Sequence, residues 1–436
     1  MSQKEAKPPK KRLHYAWVIA IVGSIAMLIG VEPLALFGVF LGPIADDLGV
    51  GRGAVSAVYW VAYIFVGISS FAAGWATDRI GLRKTMILAT LGTIIPLVAL
   101  SRAHSLWQLY LWYGVVYGFA RGGFNTPIMV TVTLWFKKKQ GLAVGIVSSG
   151  LALGPMVLAP IFRYLIDAHG WANAFLIMGI ASGIILAPCC WLLRDKPADL
   201  GLKPYGEGEP EKEPSKKKPA PQREAIYYRK GVPNFFKYAM TTQPFFMLPL
   251  IHLVGCVSHA VPLAHVVVMA TDKGISPIAA ATVLGVATGV SSLSRLLAPM
   301  FADKVGGRKA MMLFLTMQGI AILWLLPANS LWVFYLFSVF FGLGYGGEMT
   351  PFPIINRQYY GTAKIGSIYG FQTMFACLGM GMGGFIGGYL YDLMGNYNLA
   401  ILVAVGMGLV GAVLAYMLVD PFKGKRPVTA EPALAR

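Results

Sequence analysis

Apolar positions in this chain neither alternate nor keep to one stripe. They fill long continuous runs, and the charged residues collect between them. Twelve runs can be read, at residues 15–41, 54–77, 85–101, 106–135, 140–167, 172–193, 244–271, 277–301, 309–327, 331–356, 364–391 and 397–419. Most reach the roughly 20 residues that a helix needs to cross a hydrocarbon core about 30 Å thick. There the backbone must satisfy its own hydrogen bonds, so the runs are predicted to be transmembrane helices. Residues 195–240 break the pattern. They hold Glu207, Glu209, Glu211, Lys212, Glu213, Lys216, Lys217 and Lys218 among prolines, and are predicted to be a solvated linker with a short surface helix near 225–238. The expected organisation is a tail at 1–14, a six-helix half at 15–194, the linker at 195–240, a second six-helix half at 241–420 and a tail at 421–436.

Composition supports this reading. Of 436 residues, 56% are hydrophobic and 13% charged, against roughly 25% charged in soluble domains. The first run follows Lys10-Lys11-Arg12 but is too long for a cleaved signal peptide, so it reads as a retained span. The net charge of +18 sits in short loops and tails, which argues against a nucleic-acid partner. Twelve spans put both termini and the linker on one side, with most of the Lys and Arg residues; Arg52, Arg102 and Lys273 fall on the other. The positive-inside rule makes the basic side cytoplasmic. Cys189, Cys190, Cys256 and Cys377 all lie in apolar runs and read as small buried residues, with no metal or disulfide spacing.

The chain also repeats itself. Asp78-Arg79-Ile80-Gly81-Leu82-Arg83-Lys84 is matched by Asp303-Lys304-Val305-Gly306-Gly307-Arg308-Lys309, at an offset of 303 − 78 = 225. The same offset carries Gly141 and Gly145 onto Gly366 and Gly370, and Tyr164, Leu165 and Asp167 onto Tyr389, Leu390 and Asp392. A duplicated six-span unit keeps its orientation, which is the parallel-repeat plan of transporters with a site between the halves.

Gly74-x-x-x-Asp78-Arg79-x-Gly81-x-Arg83-Lys84 resembles the cytoplasmic loop motif of the major facilitator superfamily, and its second copy strengthens the match. The run Trp135-Phe136-Lys137-Lys138-Lys139-Gln140-Gly141-Leu142-Ala143-Val144-Gly145, continuing to Ser148-Ser149-Gly150, resembles the monocarboxylate transporters and the bacterial oxalate:formate antiporter-like proteins. Arg295 in span 8 resembles their substrate arginine. The resemblance implies an all-α membrane fold of twelve transmembrane helices in two parallel six-helix repeats, with spans 1, 4, 7 and 10 lining a central cavity. Ser291 stands where the animal carriers have an acid one turn before that arginine, and their acidic-glycine motif in span 1 is absent. Span 11 offers Gln372 and Phe375 where the oxalate exchanger is expected to hold a lysine, its only lysine being Lys364. The missing lysine makes a dianion held by two cations from the second half less expected, and a monoanion fits better.

Four charged residues fall deep inside predicted spans: Glu32, Arg121, Arg295 and Glu348. A lone charge at the bilayer centre costs about 3 kcal/mol or more, so each must be paired or wet. Arg295 is the first candidate for a substrate carboxylate, which its planar fork matches; the alternative is a fixed ion pair with Glu348. Arg121 and Glu32 are expected either to pair structurally or to open for an anion or proton. Tyr117, one turn before Arg121, is a candidate hydrogen-bond donor or a packing residue. His259 shares a face of span 7 with His252 and is a candidate for substrate contact or coupling, or a buried packing histidine. Glu32 and Glu348 are the proton-coupling candidates. Asp78, Arg79, Arg83, Asp303 and Arg308 are read as a cytoplasmic gate, against a purely topogenic role for the basic ones.

Neither a nucleotide-binding motif nor a catalytic or metal constellation can be read from the sequence, so no cofactor and no enzymatic activity are expected. The leading expectation is proton symport of a small monocarboxylate such as lactate, pyruvate or formate. It would be carried out by a functional monomer in a bacterial inner membrane, with the anion, the proton and the lipid bilayer as partners. Organic anion exchange and a non-transporting membrane sensor are the alternatives.

Overall fold

In the computed structural model, residues 14–207, 239–360 and 365–420 are described, apart from the side chains of Phe71, Asp78, Asp303, Arg357, Gln358 and residues 365–367. The surface helix expected near 225–238 lies outside these residues. Among the described residues the regular structure is helical, apart from one bridge between Phe136 and Tyr205. Nine described helices are long and apolar enough to cross a membrane. The longest, Gln140–Leu192, holds two spans because Gly170 (φ 79°, ψ 160°) turns the chain between them. Two more spans complete twelve. Span 4 is assembled from Leu106–Leu109, a π-helical turn Tyr110–Tyr117 and Gly118–Trp135. Span 9, Gly307–Leu323, is a single helix of 17 residues. Span 1 is Tyr15–Ala35 with Phe37–Leu48, and span 10 is Leu331–Glu348 with Pro351–Tyr360. The remaining spans are Arg52–Ile80, Leu82–Leu100, Gln243–Asp272, Pro277–Val305, Ile365–Met394 and Asn398–Met417, as spans 2, 3, 7, 8, 11 and 12.

The repeat is written into the backbone. Span 2 and span 8 begin and end at residues 225 apart. So do the left-handed glycines at three connections: Gly49 and Gly274, Gly81 and Gly306, Gly170 and Gly395. A positive φ is strained for any residue with a Cβ, so these sharp turns require glycine at equivalent places in both halves.

The outer surface is apolar: Trp332, Ile184, Trp191 and Leu88 are all more than half exposed. A surface of this kind is stable against lipid and not against water. Inside each half, small residues set the spacing. A Cβ on Gly118 would lie 2.7 Å from the Ala62 carbonyl oxygen, and one on Gly122 would lie 2.0 Å from Ser69 Oγ, so span 4 rides directly on span 2. Gly342 and Gly346 place span 10 on span 8 in the same way, against the Ala287 and Ser291 carbonyls. Between halves, span 2 packs on span 11, span 5 on span 8, and the second helix of span 1 on span 7.

The start of the expected linker is more ordered than its composition implies. Tyr205 packs against His14, Trp17 and Phe136, and its backbone bonds to Trp135, Lys137 and Lys138. Asp195 accepts a 2.6 Å hydrogen bond from the Leu82 amide, capping span 3. One aromatic ring and one capping carboxylate hold residues whose neighbours are mostly polar.

Candidate functional site

The two inner faces carry the same gradient of exposure. On span 4, Tyr113 and Tyr117 are buried, Arg121 is partly exposed and Asn125 is exposed. On span 10, Phe341 is buried, Tyr345 and Met349 are partly exposed and Pro353 is exposed. Each series steps by four residues along one helix face. A crevice therefore opens between the halves toward the face where Tyr15 and Met417 lie, called the terminal face below, and closes toward the opposite one.

An arginine from each half stands in this crevice. Arg121 lies over the Tyr63 ring, its Cζ 5.6 Å from the centroid. Arg295 lies over the Tyr345 ring at 5.1 Å. Its place on span 8 is fixed by its neighbours, since Ser294 Oγ donates to the Leu343 carbonyl at 2.6 Å and the Ser291 carbonyl meets Gly346. Both guanidiniums have a buried Nε without a hydrogen-bond partner, and neither forms an ion pair among the described residues. Tyr63 lies near Tyr345 across the interface, and Arg121 near Cys377 of span 11. The two arginines thus flank the boundary between the halves.

The acids are placed elsewhere. Glu348 is fully buried and meets His259, with Oε2 3.2 Å from Nδ1, instead of Arg295 as the alternative reading expected. The reason is positional. Glu348 ends the first helix of span 10, because Pro351 supplies no amide to continue it, and the side chain settles against Gly255 of span 7. The other nitrogen of His259 lies 3.0 Å from Met380 Sδ, so this ring joins spans 7, 10 and 11. Glu32 is 2% exposed, and both its oxygens lack partners. It packs over the backbone of Gly154, feels Arg121 electrostatically, and is not in an ion pair with it. The two halves carry the acid and the base at exchanged positions: 259 − 32 and 348 − 121 both equal 227, within two residues of the repeat register, but only His259 and Glu348 are in contact.

Tyr117 lies on the same helix face as Arg121 but in its closed part, at 0% exposure. Its hydroxyl accepts from the Leu34 amide at 3.3 Å and donates toward the Gly30 and Val31 carbonyls at 3.3 and 3.2 Å. It is inserted where the span 1 ladder opens beside Pro33, while Tyr113 donates to the Pro33 carbonyl at 2.6 Å. This placement makes Tyr117 a brace between spans. His252 stacks on Phe352, and His265 is held by Tyr397 and the Gly384 carbonyl.

Of the expected gate residues, Arg79, Arg83 and Arg308 make their contacts within their own halves. Arg79 lies over Trp75 of its own helix, and Arg83 lies near Cys190. Arg308 donates to the Leu418 carbonyl at 3.0 Å, capping span 12. The side chains of Asp78 and Asp303 lie outside the described residues. Bridging by Arg79 and Arg83 to acidic partners is absent among the described residues, because this is the face where the halves stand apart. The sequence reading missed Tyr63, Tyr345 and the contacts of Arg52; the signal for Arg52 was its isolation on the side poor in basic residues.

The family model of the Major Facilitator Superfamily matches residues 17–261 and again 250–435. The chain belongs to the major facilitator superfamily. It is similar to Monocarboxylate transporter 13 of Bos taurus, 26% identical over 413 residues that cover 93% of this chain and 89% of that one. It is also similar to the uncharacterized MFS-type transporter YcxA of Bacillus subtilis (strain 168), 25% identical over 89% of this chain and 92% of that one. Its fold matches a D-xylose-proton symporter at a TM-score of 0.72, with 13% identity over 94% of this chain and all of that one. A bacterial homolog of the human lysosomal transporter Spinster gives 0.70, with 13% identity over 95% and 97%. This major facilitator protein is a multi-pass membrane transporter of a small solute and not an enzyme.

Proposed function

We propose that this transporter carries a small monocarboxylate, such as lactate, pyruvate or formate, together with a proton. One observation carries the reading: among the described residues the crevice holds two arginines without an ion-paired carboxylate, while Glu348 is engaged by His259 and Glu32 is buried without a hydrogen-bond partner. A guanidinium in a partly dehydrated crevice calls for an anion, and its fork fits a carboxylate. The kinship to monocarboxylate transporters supports the same class.

In this reading Arg295 takes the carboxylate, Tyr345 orients the guanidinium, and Arg121 supplies the second positive charge from the other half. His259 with Glu348, and Glu32 in the other half, are the proton sites. Protonation compensates the arriving charge and allows the halves to rock. The terminal face is cytoplasmic in an inner membrane, the protein works as a monomer, and Asp78, Arg79, Arg83, Asp303 and Arg308 close that face in the opposite phase of the cycle. The test is uptake of radiolabelled lactate into proteoliposomes under an imposed pH gradient. Uptake that ignores the gradient would remove the proton from the mechanism.

A second reading is favoured by the arginine from each half. Two guanidiniums flanking the boundary between the halves would also accept an anion with two carboxylates, exchanged for a smaller one. Counterflow of labelled oxalate against formate without any pH gradient would select it.

A further inference from the structure

The face opposite the crevice opening is closed by a network centred on one residue, Arg52. Its guanidinium forms a two-point pair with Asp272 at the end of span 7, Nη1 to Oδ2 at 2.6 Å and Nη2 to Oδ1 at 2.7 Å. Nη1 also donates to the Tyr397 hydroxyl at 3.2 Å, and Cζ lies 4.0 Å from the Tyr391 ring centroid. The backbone joins in. The amides of Arg52 and Gly53, at the start of span 2, donate to the two carboxylate oxygens of Asp392 at 2.9 and 2.8 Å. First-turn amides have no partner within their own helix, so an acid from the other half completes span 2. Every partner named here belongs to the second half, and Arg52 to the first.

The fit is close on both sides. A Cβ at Gly51 would lie 2.3 Å from Asp392 Oδ2, one at Gly388 would lie 2.6 Å from the Arg52 carbonyl, and one at Gly38 would lie 2.8 Å from the Ala264 carbonyl. Separating the halves at this face must break all these contacts together.

The repeat shows that this network is not imposed by the fold. The residue equivalent to Arg52 is Pro277, which has no amide hydrogen and no charge. The residue equivalent to Asp392 is Asp167, which instead pairs with Arg163 one turn away on its own helix. The duplicated fold therefore closes without the device in the symmetry-related position, and the charges gathered around Arg52 serve something else.

We propose that Arg52, with Asp272 and Asp392, is a latch that holds this face shut while the crevice is open to the terminal face, and that the latch must release in each transport cycle. Its strength sets the balance between the two conformations. A two-point charge-assisted contact shifts such a balance strongly when one partner loses its charge. The proposal requires only that the protein alternates its access, so it stands whether or not the solute is a monocarboxylate.

The test needs no substrate. A reporter cysteine at Val268, which faces Gly42 in the closed crevice at 5% exposure, is treated with a maleimide in the full-length detergent-solubilised protein. Labelling is measured above that of the protein with only its four buried cysteines. The Arg52→Gln, Asp272→Asn and Asp392→Asn variants are expected to label about tenfold faster or more, as the population shifts toward the state open at this face. A second reporter, Asn125→Cys in the crevice, is expected to label more slowly in the same variants. The exchange Arg52→Asp with Asp272→Arg is expected to recover part of the protection at Val268→Cys. Labelling of both reporters within twofold of the parent, in variants with an unchanged melting temperature, overturns the latch. Faster labelling at both reporters together also overturns it, because that reports loosening and not a change of face.

Discussion

Replacing Arg295 with lysine separates a carboxylate fork from a mere positive charge. Lysine keeps the charge and gives up the planar pair of donors. Among the described residues Arg295 has no carboxylate partner, and its Cζ stands 5.1 Å from the Tyr345 ring, so its donors are available to an anion. A hydrogen bond to a charged group is worth about 1.5–3 kcal/mol. At about 1.4 kcal/mol for each factor of ten, loss of one such bond raises KM roughly 10- to 150-fold. Ser294 still bonds to Leu343, so the helix itself is expected to stay in place. The assay is initial-rate uptake of labelled lactate into proteoliposomes over a range of concentrations, with thermal unfolding of the same preparation as control. A KM within about twofold of the parent in a folded Arg295→Lys protein refutes the two-point contact and assigns Arg295 a general electrostatic role.

Three other substitutions probe neighbouring steps. Glu348→Gln keeps an acceptor for His259 but cannot release a proton, so gradient-driven accumulation is expected to vanish while counterflow persists; both are read from the same vesicles. Tyr117→Phe leaves the Leu34 amide and the Gly30 carbonyl without their bridge, so stability is expected to fall by about 1–3 kcal/mol with KM unchanged, measured by thermal unfolding and uptake. Gly122→Ala sets a methyl 2.0 Å from Ser69 Oγ and 2.7 Å from the Ser69 carbonyl carbon, where backbone cannot yield. A cost of about 1–3 kcal/mol and a lower yield of monodisperse protein are expected, while Gly141→Ala, with nothing within 4 Å of the new methyl, serves as the neutral control.

Much of the architecture could be read from the chain. Continuous apolar length sets the spans, because lipid leaves the backbone no partner but itself. The 225-residue offset set the repeat, and it reappears in the backbone at Gly49 and Gly274, Gly81 and Gly306, and Gly170 and Gly395. Those turns depend on local torsion angles, which local sequence controls. The charges inside the spans were legible for the same reason: Glu32, Arg121, Arg295 and Glu348 stand out in apolar runs whatever the helices do later.

Who meets whom was decided by the tertiary structure. Glu348 reaches His259 and leaves Arg295 free, although span 8 offers the stronger cation, because the break at Pro351 and the gap at Gly255 aim its side chain at span 7. Tyr117 turns its hydroxyl into span 1 because Pro33 opens the ladder there, one turn away from an arginine that faces the crevice. Arg52 gains its partners from positions more than 200 residues away, 272 and 392, which become neighbours only when the halves close on one another. A sequence fixes lengths, turns and the presence of charge through interactions that are local along the chain. The pairing of those charges depends on helix rotation and on the approach of the two halves, which no local pattern encodes.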